Sequence, residues 1–236
     1  MKEQSLTAHL VDLRSFFIRS AIILCIGFCF CWFYVDELFA FIREPIVGFL
    51  PNQALVFISP TEKFISYIKV AFLASVFFSI PFLLYQLWVF VAPALYKKEK
   101  KFMAAFLLIG SALFVLGGSF VYFIVFPNAF SFLLNFGSSA DQAMISIAEY
   151  LSFFFVMFLV FGSAFEMPLV FSVLAVMGIV SSQFLTSSRR YAVVLLAVAS
   201  AVLTPPDIFS MVFMLAPLLL LYEISIFFVK ILEKKA

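Results

Sequence analysis

Charge is what this chain has least of. Among 236 residues only 12% are charged, about half the share of an ordinary soluble domain, too little to give a globule of this size a polar surface. Histidine occurs once, cysteine three times and glycine eight times, and each scarcity closes a door. The single histidine, His9, precedes the first long apolar run, so no Ser-His pair is available inside an apolar interior, and no Gly-x-Gly-Asp motif suggests an intramembrane aspartyl protease. Cys25, Cys29 and Cys31 crowd one segment; residues four apart on a helix do not readily form a disulfide, and thiols without a neighbouring histidine or acid make a poor metal site. They read as small apolar residues facing lipid or core. No glycine loop offers a phosphate cradle. No catalytic residue, metal or cofactor is expected. A net charge of +2 is too small to argue for nucleic acid.

What is abundant is apolar surface: 65% of residues are hydrophobic and 36 are phenylalanine. Such a composition excludes disorder and leaves a lipid bilayer as the solvent. Six apolar runs stand out, at about 16–35, 67–95, 102–126, 150–180, 191–203 and 208–229. The fold class expected is therefore an all-α membrane protein of six transmembrane helices, a single integral membrane domain over 1–236. An even number of spans puts both ends on one side. Lys2, Arg14, Arg19, the lysines at 97, 98, 100 and 101, Arg189, Arg190, Lys230, Lys234 and Lys235 share that side, against Arg43, Lys63 and Lys69 on the other. The bias of basic residues places both termini in the cytoplasm, a multi-pass protein of the cytoplasmic membrane.

Helix punctuation supports these boundaries. Ser59-Pro60-Thr61-Glu62 and Ser146-Ile147-Ala148-Glu149 both have capping-box spacing, so the second and fourth spans should begin in the outer loops. Those loops hold apolar stretches too short to cross, 38–42 and 130–134, read as interfacial segments capping the bundle. An ordered cap and a mobile loop are equally compatible with the sequence. Residues 191–203 make about 20 Å of helix, and Glu223 limits the charge-free part of the sixth run to about 22 Å, against a hydrocarbon core about 30 Å thick. The fifth and sixth helices should form a short hairpin that sits low in the bilayer or thins it locally, or whose mismatch its neighbours hide. No internal repeat is visible, and the first run lacks a small-residue cleavage site, so it is expected to be retained.

Against this uncharged background one acid stands out. Glu166, in Phe161-Gly162-Ser163-Ala164-Phe165-Glu166-Met167-Pro168, lies deep in a span of about 30 residues, where an ionisable group must face the bundle interior, a partner or water. Pro168 should kink the helix beside it and leave a polar notch. A functional intramembrane site and a structural carboxyl bonded within the bundle both remain open. Glu223 reads either as a residue snorkelling to the interface or as a site. On the cytoplasmic face, His9-Leu10-Val11-Asp12-Leu13-Arg14 alternates charge and leucine as an interfacial helix would, and Glu99 is the one acid among four lysines after Phe90. That run is either topogenic charge alone or a site in which a carboxylate binds an arginine bidentately while an aromatic ring packs on its stem.

At these residues the chain closely resembles the TatC family, the polytopic subunit of the twin-arginine protein translocase. The segment His9 to Arg14 resembles the family's N-terminal H-L-x-E-L-R, with Asp12 in place of glutamate. Phe90 to Glu99 resembles its first cytoplasmic loop, Phe161 to Pro168 its fourth helix, and Leu203-Thr204-Pro205-Pro206-Asp207-Ile208-Phe209-Ser210 its last outer turn. The resemblance covers nearly the whole chain. It implies a concave bundle that recognises twin-arginine signal peptides of folded cargo, assembles with TatA- and TatB-type single-span proteins, self-associates in a receptor complex and is driven by the proton-motive force in the inner membrane of a prokaryote. Carried over, Glu99, Phe90, Asp12, Arg14 and Lys97 bind the signal peptide, Glu166 is the intramembrane polar site, and Thr204, Asp207, Ser210 and Met211 contact partner helices. Met211 stands where many relatives have glutamine. A competing class, an ion-coupled carrier with Glu166 as proton site, would bind a small solute and need no partner. A purely structural assembly subunit would tolerate Glu166→Gln.

Overall fold

In lipid every backbone N–H and C=O must be satisfied within its own segment, so long apolar runs become helices. A computed structural model describes residues 6–50, 55–91, 103–135, 144–204 and 208–234. Its elements are α1 (Leu6–Phe33), α2 (Val35–Val47), α3 (Pro60–Val91), α4 (Met103–Phe120), a π turn (Val121–Val125), α5 (Phe126–Asn135), α6 (Ile147–Phe165), α7 (Met167–Val176), α8 (Ser182–Ser187), α9 (Arg189–Leu203) and α10 (Ile208–Glu233). Five stretches among the described residues are long and apolar enough to cross a membrane: Val11–Phe33, Pro60–Phe90, Ala105–Leu134, Ile147–Val176 and Met211–Glu233. At 15 residues, roughly 22 Å, α9 is the short helix the sequence leads one to expect.

Several boundaries differ from expectation, each for a local reason. The third run does not stop at 126. Its helix passes through the π turn, where the Phe126 N–H bonds the Val121 carbonyl, and continues to Asn135. The wide turn falls just before Pro127, which then sits at the start of a new α segment, where its missing N–H costs least. The fourth run ends at Val176 rather than 180. Gly178 adopts φ 73°, and the bonds Gly178 N–H to Ala175 O (2.9 Å) and Ile179 N–H to Leu174 O (2.9 Å) form a Schellman close. The sixth helix is not short: α10 has 26 residues, about 39 Å. Glu223 lies within it, half exposed, with its carboxylate paired to Arg189 at 2.8 Å. His9 to Arg14 is no separate interfacial helix but the opening of α1. The two short apolar stretches, 38–42 and 130–134, are ordered helix, within α2 and α5.

The capping serines behave differently from one another. Ser146 accepts from the backbone N–H groups of Ala148 and Glu149, as its spacing predicts. At Pro60 the glutamate does the work: Glu62 Oε2 accepts from the Ile58 and Ser59 N–H groups at 2.7 and 3.3 Å, while the Ser59 hydroxyl pairs with Thr61.

The chain divides into two units, residues 1–43 with 57–112 and residues 44–56 with 113–236. In the first, α1 lies along α3. Contact is close because Gly27 has no side chain: a Cβ there would come 2.8 Å from Ser79 Oγ and 3.0 Å from Ser75 Oγ. Ser75 donates to the Leu24 carbonyl at 2.8 Å. Aromatic pairs close both ends, Phe16–Phe90 at 5.7 Å and Trp32–Phe64 at 6.3 Å between ring centroids. Tyr67 donates to Asp36 at 2.8 Å, tying α3 to α2.

In the second unit an aromatic column forms the core, with Phe126 stacked on Phe154 (4.7 Å), Phe154 on Phe158 (6.2 Å), and Phe114 edge-on to Phe158 (5.9 Å). Gly117, Gly118 and Gly162 let the α4 and α6 backbones approach across it. One β-bridge, Val56 to Ser146, joins the segment before α6 to Val56 through Ile147 N–H to Val56 O at 2.8 Å. At the other end Leu185, Tyr222, Ile226 and Val229 form a second buried cluster, packed by Phe171 and Leu196.

Candidate functional site

Glu166 occupies the joint between α6 and α7. The Glu166 N–H reaches only to the Ser163 carbonyl (3.1 Å), a tightened turn, and Pro168 follows at the start of α7. The break expected from the sequence is present. Both carboxyl oxygens are buried, with no hydrogen-bond partner among the described residues. A polar group left this way in an apolar interior costs about 1–3 kcal/mol or more.

Two hollows flank the joint. One, of about 600 Å³, is lined by Phe120, Ile124, Phe165, Val212, Pro217 and Leu221. The other, of about 460 Å³, is lined by Leu159, Ser163, Met167, Leu196, Ala199 and Leu218. The immediate neighbours of Glu166, Phe165 and Met167, thus open on different hollows. Both are almost wholly apolar, as suits lipid chains or an apolar helix face.

The other expected residues are dispersed. Asp12 and Arg14 are exposed on α1, and Phe90, half-buried in the last turn of α3, packs on Phe16. Lys97, Glu99 and Asp207 lie outside the described residues, and Ser210 belongs to α10 with its side chain outside them. Thr204 is buried. Its hydroxyl donates to the Ser200 carbonyl at 2.8 Å, and it borders a void of about 10 Å³ shared with Met157, Phe213 and Met214. Met211 is half-buried on the first turns of α10.

Three cross-links escaped the sequence reading: Arg189 to Glu223, the Tyr222 hydroxyl to the Leu185 carbonyl at 2.8 Å, and Ser182 to Glu233, where the backbone N–H is 2.8 Å from Oε1 and the hydroxyl donates to Oε2. Together they bind α8 and the start of α9 to α10. Charge opposite charge at the ends of adjacent spans was the available signal for the first; nothing local marks the other two.

Long apolar helices, with a buried acid at a helix break and apolar hollows beside it, define a polytopic membrane protein. A family model described as Sec-independent protein translocase protein (TatC) matches residues 8–217. The Sec-independent protein translocase protein TatC of Desulforapulum autotrophicum is 40% identical over 230 residues, covering 97% of this chain and 85% of its own. That of Escherichia coli K12 is 36% identical over 226 residues, covering 95% and 88%. A solved crystal structure of the twin arginine translocase receptor TatC superimposes with a TM-score of 0.86 at 38% identity, covering 95% of this chain and 99% of that one. The chain belongs to the TatC family. It is a component of a protein translocase, a transport subunit and not an enzyme, and the carrier reading of Glu166 gives way to this one.

Proposed function

We propose that this chain is the receptor subunit of a twin-arginine translocase in the cytoplasmic membrane of a prokaryote. The observation that carries the reading is the likeness, at TM-score 0.86 and 38% identity, to a structure described as the twin-arginine translocase receptor. The signal peptide's paired arginines are bound on the cytoplasmic side by the residues the family resemblance assigns to that role, Asp12, Arg14, Phe90, Lys97 and Glu99, with Glu99 as the bidentate carboxylate. Six spans with both termini cytoplasmic, α9 being the short fifth, make one integral membrane domain, and the basic residues at the cytoplasmic ends support that orientation. Because α9 offers only about 22 Å of helix, the bilayer beside it is thinned.

Glu166 meets a polar group of an inserted signal or of a partner helix. Its unpartnered oxygens and the hollows on either side support that role. TatA- and TatB-type single-span proteins dock near the outer end of α9 and α10, by Thr204, Asp207, Ser210 and Met211, and copies of the chain associate in the receptor complex. Transport is driven by the proton-motive force, and no cofactor takes part. The Thr204 hydroxyl donates to the Ser200 carbonyl and keeps only its acceptor side for a partner, and Met211 supplies an apolar contact where many relatives have a polar one.

Site-specific crosslinking tests the receptor role. A peptide with paired arginines should crosslink to positions 90–99 and one with paired lysines should not, and Glu99→Gln should abolish the signal. Undiminished crosslinking in Glu99→Gln would remove that residue from the site. Glu166→Gln should leave the protein folded and inserted but lower export in cells, whereas full export would make the carboxyl structural.

A further inference from the structure

A single residue, Ser188 at φ −85° and ψ 0°, separates α8 from α9. Joined without a break, Ser182 to Leu203 would make roughly 33 Å of helix, where α9 alone offers about 22 Å. The break falls where the helical ladder lacks a rung. The Ser188 N–H bonds the Phe184 carbonyl and the Ala192 N–H bonds the Ser188 carbonyl, both at 3.0 Å, but among the described residues no backbone N–H reaches the Leu185 carbonyl, the acceptor that the Arg189 N–H would use in a continuous helix. Its donor comes from another helix: the Tyr222 hydroxyl, on α10, lies 2.8 Å away. A hydroxyl on a carbonyl does not by itself break a helix, since the Ser187 hydroxyl donates to the Phe184 carbonyl at 2.9 Å and the Ser188 N–H still bonds there. At Leu185 the donor enters the ladder from outside, and such an insertion kinks helices.

We infer that Tyr222 is a positioning residue: its hydroxyl occupies the Leu185 carbonyl, holds the joint between α8 and α9 open, and so keeps α9 short. Two further bonds fasten this end to α10, Glu233 to Ser182 and Glu223 to Arg189, but both are exposed, whereas the bond from Tyr222 to Leu185 is buried. The ring is fixed as well. Tyr222 and Leu185 share a core cluster with Ile226 and Val229, and Phe171 meets the Tyr222 ring edge-on at 6.2 Å. The consequence for transport rests on the reading above, in which the shortness of α9 thins the bilayer beside it. Tyr222 acts on that element through the joint alone.

The test uses the full chain in lipid nanodiscs and Tyr222→Phe, which removes the hydroxyl and leaves the packed ring. With the hydroxyl gone, the Arg189 N–H should take the Leu185 carbonyl, so in arginine-labelled protein the Arg189 amide should exchange its hydrogen about tenfold more slowly. General loosening would speed that exchange. Spin labels at Phe184→Cys and Val198→Cys, both exposed, in a background without native cysteines, should move apart towards the roughly 21 Å of a straight helix. Tyr191→Phe, which removes an exposed hydroxyl from α9, should change neither readout. Export in cells should fall several-fold in Tyr222→Phe. An Arg189 amide that exchanges as fast as in the parent or faster, or a label distance that does not lengthen, would each overturn the inference and leave the reading of α9 standing. A straightened joint with full export would overturn the reading that a short α9 serves transport, and the link to transport with it.

Discussion

Single residues divide into those that stand out against the chain's composition and those hidden by it. Glu166 was legible because an acid in a long uncharged run has no ordinary explanation, and its burial without a partner among the described residues follows that expectation. Phe16, which packs on Phe90, was not, being one of 36 phenylalanines with nothing in its immediate sequence to distinguish it. The glycines differ in the same way. A Cβ on Gly117 would lie 2.8 Å from the Phe161 carbonyl oxygen and 3.1 Å from the Gly162 Cα, backbone atoms that cannot step aside. Gly178 has open space around it and needs only its positive φ. Gly117→Ala should therefore destabilise by about 1–3 kcal/mol through overpacking, and Gly178→Ala by about 1 kcal/mol through backbone strain. Thermal unfolding in detergent would measure both, and a Gly117→Ala variant as stable as the parent would contradict the close approach of α4 and α6.

Elements were legible where the signal was local. The N-cap at Ser146 and the brevity of α9 could be read directly, and Ser146→Ala should cost about 1 kcal/mol of stability by leaving the first turn of α6 without its acceptor. The run of α10 past Glu223 was within the expected span of 208–229, but the pairing of Glu223 with an arginine 34 residues earlier in the chain, at the start of another helix, was not legible. Both partners are about half exposed, so a double-mutant cycle on Arg189→Ala and Glu223→Ala should give a coupling of only about 0.2–1 kcal/mol, falling as salt rises. A larger, salt-independent coupling would mean that the pair is shielded from water where it sits. The run of α4 into α5 was also hidden. Pro127 reads as a stop, and only the preceding π turn makes it a beginning.

For the whole molecule, composition established the solvent and four spaced motifs the family; helix lengths and pairings needed coordinates. Orientation is the proposal most easily checked. In a background without native cysteines, Ile58→Cys, 81% exposed in the first outer loop, should react with an impermeant maleimide added to intact cells. Lys234→Cys, beyond the end of α10, should react only after permeabilisation. Labelling of Lys234→Cys in intact cells would invert the topology proposed here.

The π turn at 121–125 has a consequence for length variation within such chains. It accommodates one residue more than an α turn while the segments on either side keep their facing, so it stores a single insertion. Deleting Phe123 should let that turn close as ordinary α-helix, leaving Phe126 and Phe130 still aimed at Tyr150 and Phe154. Deleting Leu108 should instead rotate one part of the helix against the other by about 100° and scatter its core contacts. Expression and unfolding temperature of the two deletion variants would show whether the chain carries this residue as slack.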